Sequence, residues 1–273
     1  MKNAAPSLFV SHGLPPMALL DDPYNSALIN FGRSISRDIK GIVCVSSHWV
    51  SPGAIQIASA PDPFIQHNFS GYQKDIYDLE YSPPFSPDLI QQVATLLDEN
   101  DFEVSLNPHY GLDHGVWMPL RLIRPEADLP VVQISLPLNE DPRKIMKIGH
   151  GLSVLREQGI LLIGSGAAGL NPHKLIWHAR GEDVHPKIAE FDSWLVENLK
   201  TADVETILDY KKSGPHNEFV HPGSSNISPL FFTMGAALSG DRPQFIFKGF
   251  KYSSTSLLTF CLSENPISNE LLS

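Results

Sequence analysis

The sequence predicts a single-domain α/β fold over residues 1–273, with a mostly parallel central sheet flanked by helices. Three observations predict it. Short apolar runs bounded by Gly, Pro or Ser alternate with amphipathic stretches of helical period. No composition shift, internal repeat or low-complexity tract marks a boundary between two domains. Hydrophobic residues make up 42% of the chain, enough for a sizeable core, and charged residues only 18%, too few for a disordered or highly charged surface.

The expected strands are residues 7–10, 41–46, 129–136, 160–163 and 244–247. Each is mostly apolar without strict alternation, as in strands covered on both faces. Between them lie helices. Ser86-Pro87 supplies an N-cap followed by proline at the first helical position. Leu89, Ile90, Val93, Leu96 and Leu97 then form one stripe. A second helix is expected from Asp141-Pro142. A third begins near Pro186, with Ile188, Phe191, Trp194, Leu195 and Leu199 on one face. Strand–helix alternation implies a parallel sheet.

Composition excludes several functions. The net charge is −10 and no Lys/Arg-rich run occurs, so neither nucleic acid nor an anionic membrane is an expected partner. No stretch reaches the ~18 apolar residues of a membrane span, and residues 1–6 hold no apolar segment. The protein is therefore expected to be cytoplasmic. Cys44 lies in an apolar run and reads as a buried thiol; with Cys261 it makes no disulfide framework. The oligomeric state is left open.

Eleven histidines are many for this length, and their positions decide which matter. One strand ends in Ser11-His12-Gly13 and another in Ser46-Ser47-His48-Trp49. Ligands of open α/β sheets bind beyond the carboxyl ends of the strands. Imidazoles there can ligate a metal or move protons near neutral pH. The segment 111–117 has glycines around Asp113-His114 and no helical stripe, so it reads as a loop that aims a side chain or is pinned by a His–Asp hydrogen bond. Residues 164–169 match GxGxxG, but Asn171-Pro172 follows where a phosphate-binding helix would have to start. A tight glycine turn is the better reading. His221 either serves a site or caps a turn.

Taken together these residues resemble the DOPA-type branch of the class III extradiol dioxygenases, from about Pro6 to Thr255. The matching stretches are Ser11-His12-Gly13, Ser47-His48-Trp49, 65–72 around His67, Tyr77-Asp78 with Tyr81, 111–117, Gly164-Ser165-Gly166, Trp177-His178, His221-Pro222, Pro229-Leu230 and Gly235-Ala236-Ala237. No single stretch is specific; their order and spacing are. The resemblance implies the α/β fold of the class III extradiol dioxygenases and a non-haem metal, iron(II) for catalysis or zinc. It implies a small catechol-type substrate, with dioxygen, opened beside one hydroxyl. It assigns His12 and His48 as metal ligands and His114, beside Asp113, as the acid/base. His67, Ser165, His173, His221 and Trp49 are the candidates for substrate contact.

Two positions depart from the pattern. Leu170 stands where the family has a histidine after the Ser-Gly turn, and Asn226 where it has one before Pro-Leu. Asn226 offers only a neutral amide oxygen, a weaker ligand than imidazole. His173 and His221 lie near these positions in sequence. Two other readings stay open: a metal-independent lyase, hydrolase or isomerase acting on a small aromatic or carbonyl substrate in the same pocket, and a non-catalytic binding homologue.

Overall fold

The computed structural model of the chain describes residues 4–35, 39–138, 141–180, 182–223 and 226–266. The strands are β1 (Ser7–Ser11), β2 (Gly41–Ser51), β3 (Ile55–Ala58), β4 (Val104–Asn107), β5 (Val131–Pro137), β6 (Ile160–Gly166), β7 (Arg242–Phe247), β8 (Phe250–Lys251), β9 (Thr255–Ser256) and β10 (Thr259–Ser263). Eight of them form one sheet in the order β4-β3-β5-β2-β6-β1-β10-β7, and β8 pairs with β9 in a small ribbon. The centre, β5-β2-β6-β1, is parallel. Antiparallel β10 and β7 complete one side. On the other side β3 runs antiparallel to β5 and parallel to β4. All five expected strands are present.

The helices are α1 (Pro23–Ser34), α2 (Lys74–Tyr77), α3 (Pro87–Glu99), α4 (His114–Ile123), α5 (Pro142–Leu152), α6 (Pro186–Thr201), α7 (Val204–Leu208), α8 (Tyr210–Ser213), α9 (Asn217–Val220) and α10 (Ser228–Gly235). The three expected helices start where their caps place them. The Ser86 hydroxyl accepts from Leu89 N–H, and the Asp141 carboxylate from Arg143 N–H. Helices α3, α5, α6 and α10 build a core on one face of the sheet, around Val43, Val45 and Leu162. Helices α1 and α4 build a second core on the other, around Leu8, Val10 and Ile163. No helix among the described residues is long and apolar enough to cross a membrane.

One sequence reading is corrected. Segment 111–117 is not a loop throughout: its second half opens α4, with Asp113 as N-cap. Eight of the ten α4 residues are buried. The helix is short and carries Pro119 in its middle, which in a sequence reads as a break. Nor does His48 follow its strand. It lies within β2, in a register shift against β5 between Val45 and Val50. Such a bulge re-aims side chains that strict alternation would turn away.

The registers explain where the site forms. Ser11 pairs with Gly166 and Ser46 with Ser165, so the carboxyl ends of β1, β2 and β6 are level. His12, the bulge of β2 and the start of α4 meet there.

Candidate active site

Three histidines converge at this edge. Their ring nitrogens lie within 4.8 Å of one another, the one such grouping of three metal-ligand residues among the described residues. His48 Nε2 is 2.9 Å from His12 Nε2. The His48 and His114 rings are 4.0 Å apart, centre to centre. His12 and His114 are buried, and His48 is exposed on the solvent side.

Each histidine is set by its local structure. His12 leaves β1 just before Gly13, whose φ of +70° turns the chain away. The His12 Nδ1 lies 3.0 Å from the Ser165 hydroxyl on β6. That hydroxyl gives its only hydrogen to the Gly115 carbonyl. It must therefore accept from His12 Nδ1–H, which leaves the lone pair on His12 Nε2, where it accepts from His48 Nε2–H. A side chain at Gly115 could not fit: a β-carbon there would lie 2.5 Å from Ser46 Oγ and 3.1 Å from His12 Nδ1.

His114 is fixed in the same sense. Its Nδ1 is 2.6 Å from Asn68 Oδ1 and donates to it, so Nε2 again carries the lone pair. Beneath it Asp113, fully buried, organises the helix start. Its carboxylate accepts from Gly115 N–H at 2.9 Å, Ser46 Oγ–H at 2.8 Å, Gln133 Nε2–H at 2.5 Å and Tyr110 O–H at 3.3 Å. Gln133 Oε1 also accepts from the Asp113 N–H. Asp113 thus joins β2, β5 and α4 into one frame, and its oxygens point into that frame.

The electrostatics favour neutral rings. Loss of solvation holds His12 well below its ordinary value, with His48 and His114 adding to the effect. Loss of solvation, then the neighbouring His48, takes His114 down to about 3. His48 is also lowered by loss of solvation, against a raising effect from Asp113. Water on its exposed side offsets part of that loss. Neutral imidazoles with converging lone pairs, each oriented by a bond at its other nitrogen, are what a divalent transition metal requires. His12 meets both conditions and His48 Nε2 lies beside it, so these two can hold the ion, while His114, oriented in the same way, keeps a lone pair free to take a proton. The donor set therefore fits such an ion.

The other sequence candidates take the following places. Trp49 is buried and stacked flat on Tyr110, with ring centres 3.8 Å apart. His67 packs behind the cluster against Phe69, Tyr77 and Trp117. Phe69 stands between, its ring perpendicular to His114 at 5.3 Å. His173 is exposed on a three-residue turn. His221 is buried against Phe191 and Tyr210, in the core on the α6 face, and loss of solvation lowers it to about 4. Neither joins the cluster. Leu170 makes an isolated bridge to Thr255. Asn226 accepts Ala167 N–H at its main-chain oxygen, against Gly166.

Sequence reasoning passed over Asn68, Phe69 and Gln133. Gln133 carried a signal: it is a polar residue inside an otherwise apolar strand, and such a residue needs buried partners. Asn68 and Phe69 lie in the irregular segment 65–72, where no periodicity singles out a side chain.

The chain is similar to several known proteins. Residues 6–261 match the family described as the catalytic LigB subunit of aromatic ring-opening dioxygenase. The chain is 32% identical to 4,5-DOPA dioxygenase extradiol of Beta vulgaris over 89% of this chain and 91% of that one. It is 30% identical to 4,5-DOPA dioxygenase extradiol of Escherichia coli (strain K12) over 93% of each. The crystal structure of the uncharacterized protein JW3007 from Escherichia coli K12 superposes with a TM-score of 0.79 at 27% identity, covering 95% of this chain and all of the other.

Proposed function

The chain belongs to the family of the catalytic LigB subunit of aromatic ring-opening dioxygenase, and on that premise we propose that it opens the ring of a small catechol-type aromatic with dioxygen. The observation that carries this reading is the convergence of His12, His48 and His114, with the Nε2 lone pairs of His12 and His114 set by bonds at their other nitrogens. His12 and His48 are the metal ligands in this reading, with iron(II) for turnover or zinc as an alternative occupant. The bound ion would act as a Lewis acid on the catechol oxygens and supply the redox chemistry toward dioxygen.

The remaining work falls to the chain. His114 is neutral at pH 7, so its Nε2 can take the proton of a catechol hydroxyl and later return it. Asn68 keeps the proton on the other nitrogen. Phe69 walls the His114 side with an apolar ring, which favours a flat aromatic guest and keeps bulk water from the proton in transit. Asp113, through Gln133, Ser46 and the Gly115 N–H, fixes the first turn of α4 and with it the position of His114. Leu170 and Asn226 leave the ion with fewer imidazoles than the family pattern, so it should exchange readily.

The test is oxygen uptake by the iron(II)-loaded protein with catechols, scored with a yellow semialdehyde product. His114→Ala should lower turnover by ~10²–10⁴-fold with metal content unchanged. No uptake by the wild-type protein with any catechol, or full activity in the variant, refutes the proposal.

A further inference from the structure

A groove of about 670 Å³ opens beside the histidine cluster, lined by Pro16, Leu19, Leu20, Tyr72, Ile76 and Trp177, with Gly71 and Gln73 completing it. No lining residue is charged. Leu19, Leu20 and Trp177 are 44%, 37% and 53% exposed, which is unusual for side chains gathered in one place. One aromatic ring separates the groove from the site. Phe69 touches His114 on one side and Tyr72 on the other, with ring centres 5.3 and 5.7 Å apart, and Tyr72 meets Trp177 at 6.5 Å. The turn Pro15–Leu19 begins three residues after His12.

Two lysines near this rim are paired, whereas Asp21 and Asp75, beside Leu20 and Ile76, are exposed carboxylates that would repel an anionic arm. Lys74 is bonded to Asp78 at 2.5 Å, and Lys251, beside Tyr252, to Asp22 at 3.0 Å. A substrate arm carrying a carboxylate or ammonium would meet no counter-charge in the groove lining. An uncharged alkyl or aryl arm would cover leucine and tryptophan surface that is otherwise wet.

We propose that this groove binds an uncharged apolar substituent of the aromatic substrate, so that the protein selects alkyl- or aryl-substituted catechols over those with a charged side chain. This selectivity rests on the ring-opening reading above, whereas the groove's affinity for apolar groups does not. A four-carbon arm that covers two to three methylenes gains about tenfold or more in affinity.

The experiment is calorimetric titration of the intact protein under anaerobic conditions with catechol, 4-butylcatechol, 3-(3,4-dihydroxyphenyl)propionate and butylbenzene. Butylcatechol should bind at least about tenfold tighter than catechol, and the propionate no tighter than catechol. Leu19→Asp and Trp177→Ala should each erase the butyl gain and leave catechol affinity unchanged. Two variants on exposed side chains guard against one that fails to fold. Equal affinity of butylcatechol and catechol, or a butyl gain that survives both substitutions, overturns the proposal. So does dimerisation on gel filtration that Trp177→Ala abolishes, since the patch would then be a protein interface. If butylbenzene binds as well as butylcatechol and both weaken in the two variants, the groove stands and the ring-opening reading fails.

Discussion

Ser165→Ala isolates the device that orients His12. In the folded chain the Ser165 hydroxyl is fully buried, accepting from His12 Nδ1–H at 3.0 Å and donating to the Gly115 carbonyl. Alanine leaves both partners buried and unpaired. Each such group costs ~1–3 kcal/mol, so the variant should lose roughly 2–4 kcal/mol in all, because some relaxation is shared. For a chain of this size that lowers Tm by ~5–15 °C. His12 would also lose the bond that fixes its tautomer, and loss of such a support typically weakens metal binding ~10–100-fold. Thermal denaturation of the metal-free protein reads the first effect and zinc titration by calorimetry the second. A Tm within a degree of the parent and unchanged zinc affinity would refute the account of Ser165. A lower Tm with unchanged affinity would limit Ser165 to the fold.

Three further outcomes follow from particular side chains. His221 titrates at about 4 in the folded chain and near 6.5 when unfolded, so the unfolded chain binds the extra proton between those values. Its stability contribution is complete above about 6.5 and falls as pH drops toward 4, by ~2 kcal/mol between pH 7 and pH 5. Urea denaturation of His221→Phe should show that part of the pH dependence gone, and an unchanged profile contradicts the reading. The double variant Leu170→His, Asn226→His should bind zinc more tightly than the parent and gain thermal stability when zinc is added. Equal, tight affinity in both would mean that the parent site is already complete; equal, weak affinity would mean that the two positions do not face the metal. Asn68→Ala frees the outer nitrogen of His114 and should lower kcat with little change in KM for catechol. A change confined to KM would make Asn68 a substrate contact instead.

Much of the fold was legible because it rests on local chemistry. Ser86, Asp141 and the prolines after them mark the starts of α3 and α5, and apolar runs mark the buried central strands. Of the elements that escaped, α1 carries the same signal, an Asp22 cap before Pro23, whereas others lack such contrast. β4 is an edge strand with two of its four residues exposed, and α10 is buried almost all round, so it shows no period. The site was half legible. His12 was visible as a histidine after a strand, but the bulge that brings His48 to His12 depends on register with β5, which no local pattern encodes. The partners Asn68 and Gln133 lie 46 and 20 residues from the groups they hold. Pairings of that kind arise only when the sheet assembles.

The central claim is that His12 and His48 hold a divalent metal, and metal content tests it most directly. Untagged protein is reconstituted with excess iron(II) or zinc, freed of unbound ion by gel filtration, and analysed for metal beside His12→Ala and His48→Ala. One ion per chain in the parent, removed by a mild chelator, with near zero in both variants, is the predicted result. A parent that retains no metal, or variants that retain as much as the parent, would contradict it.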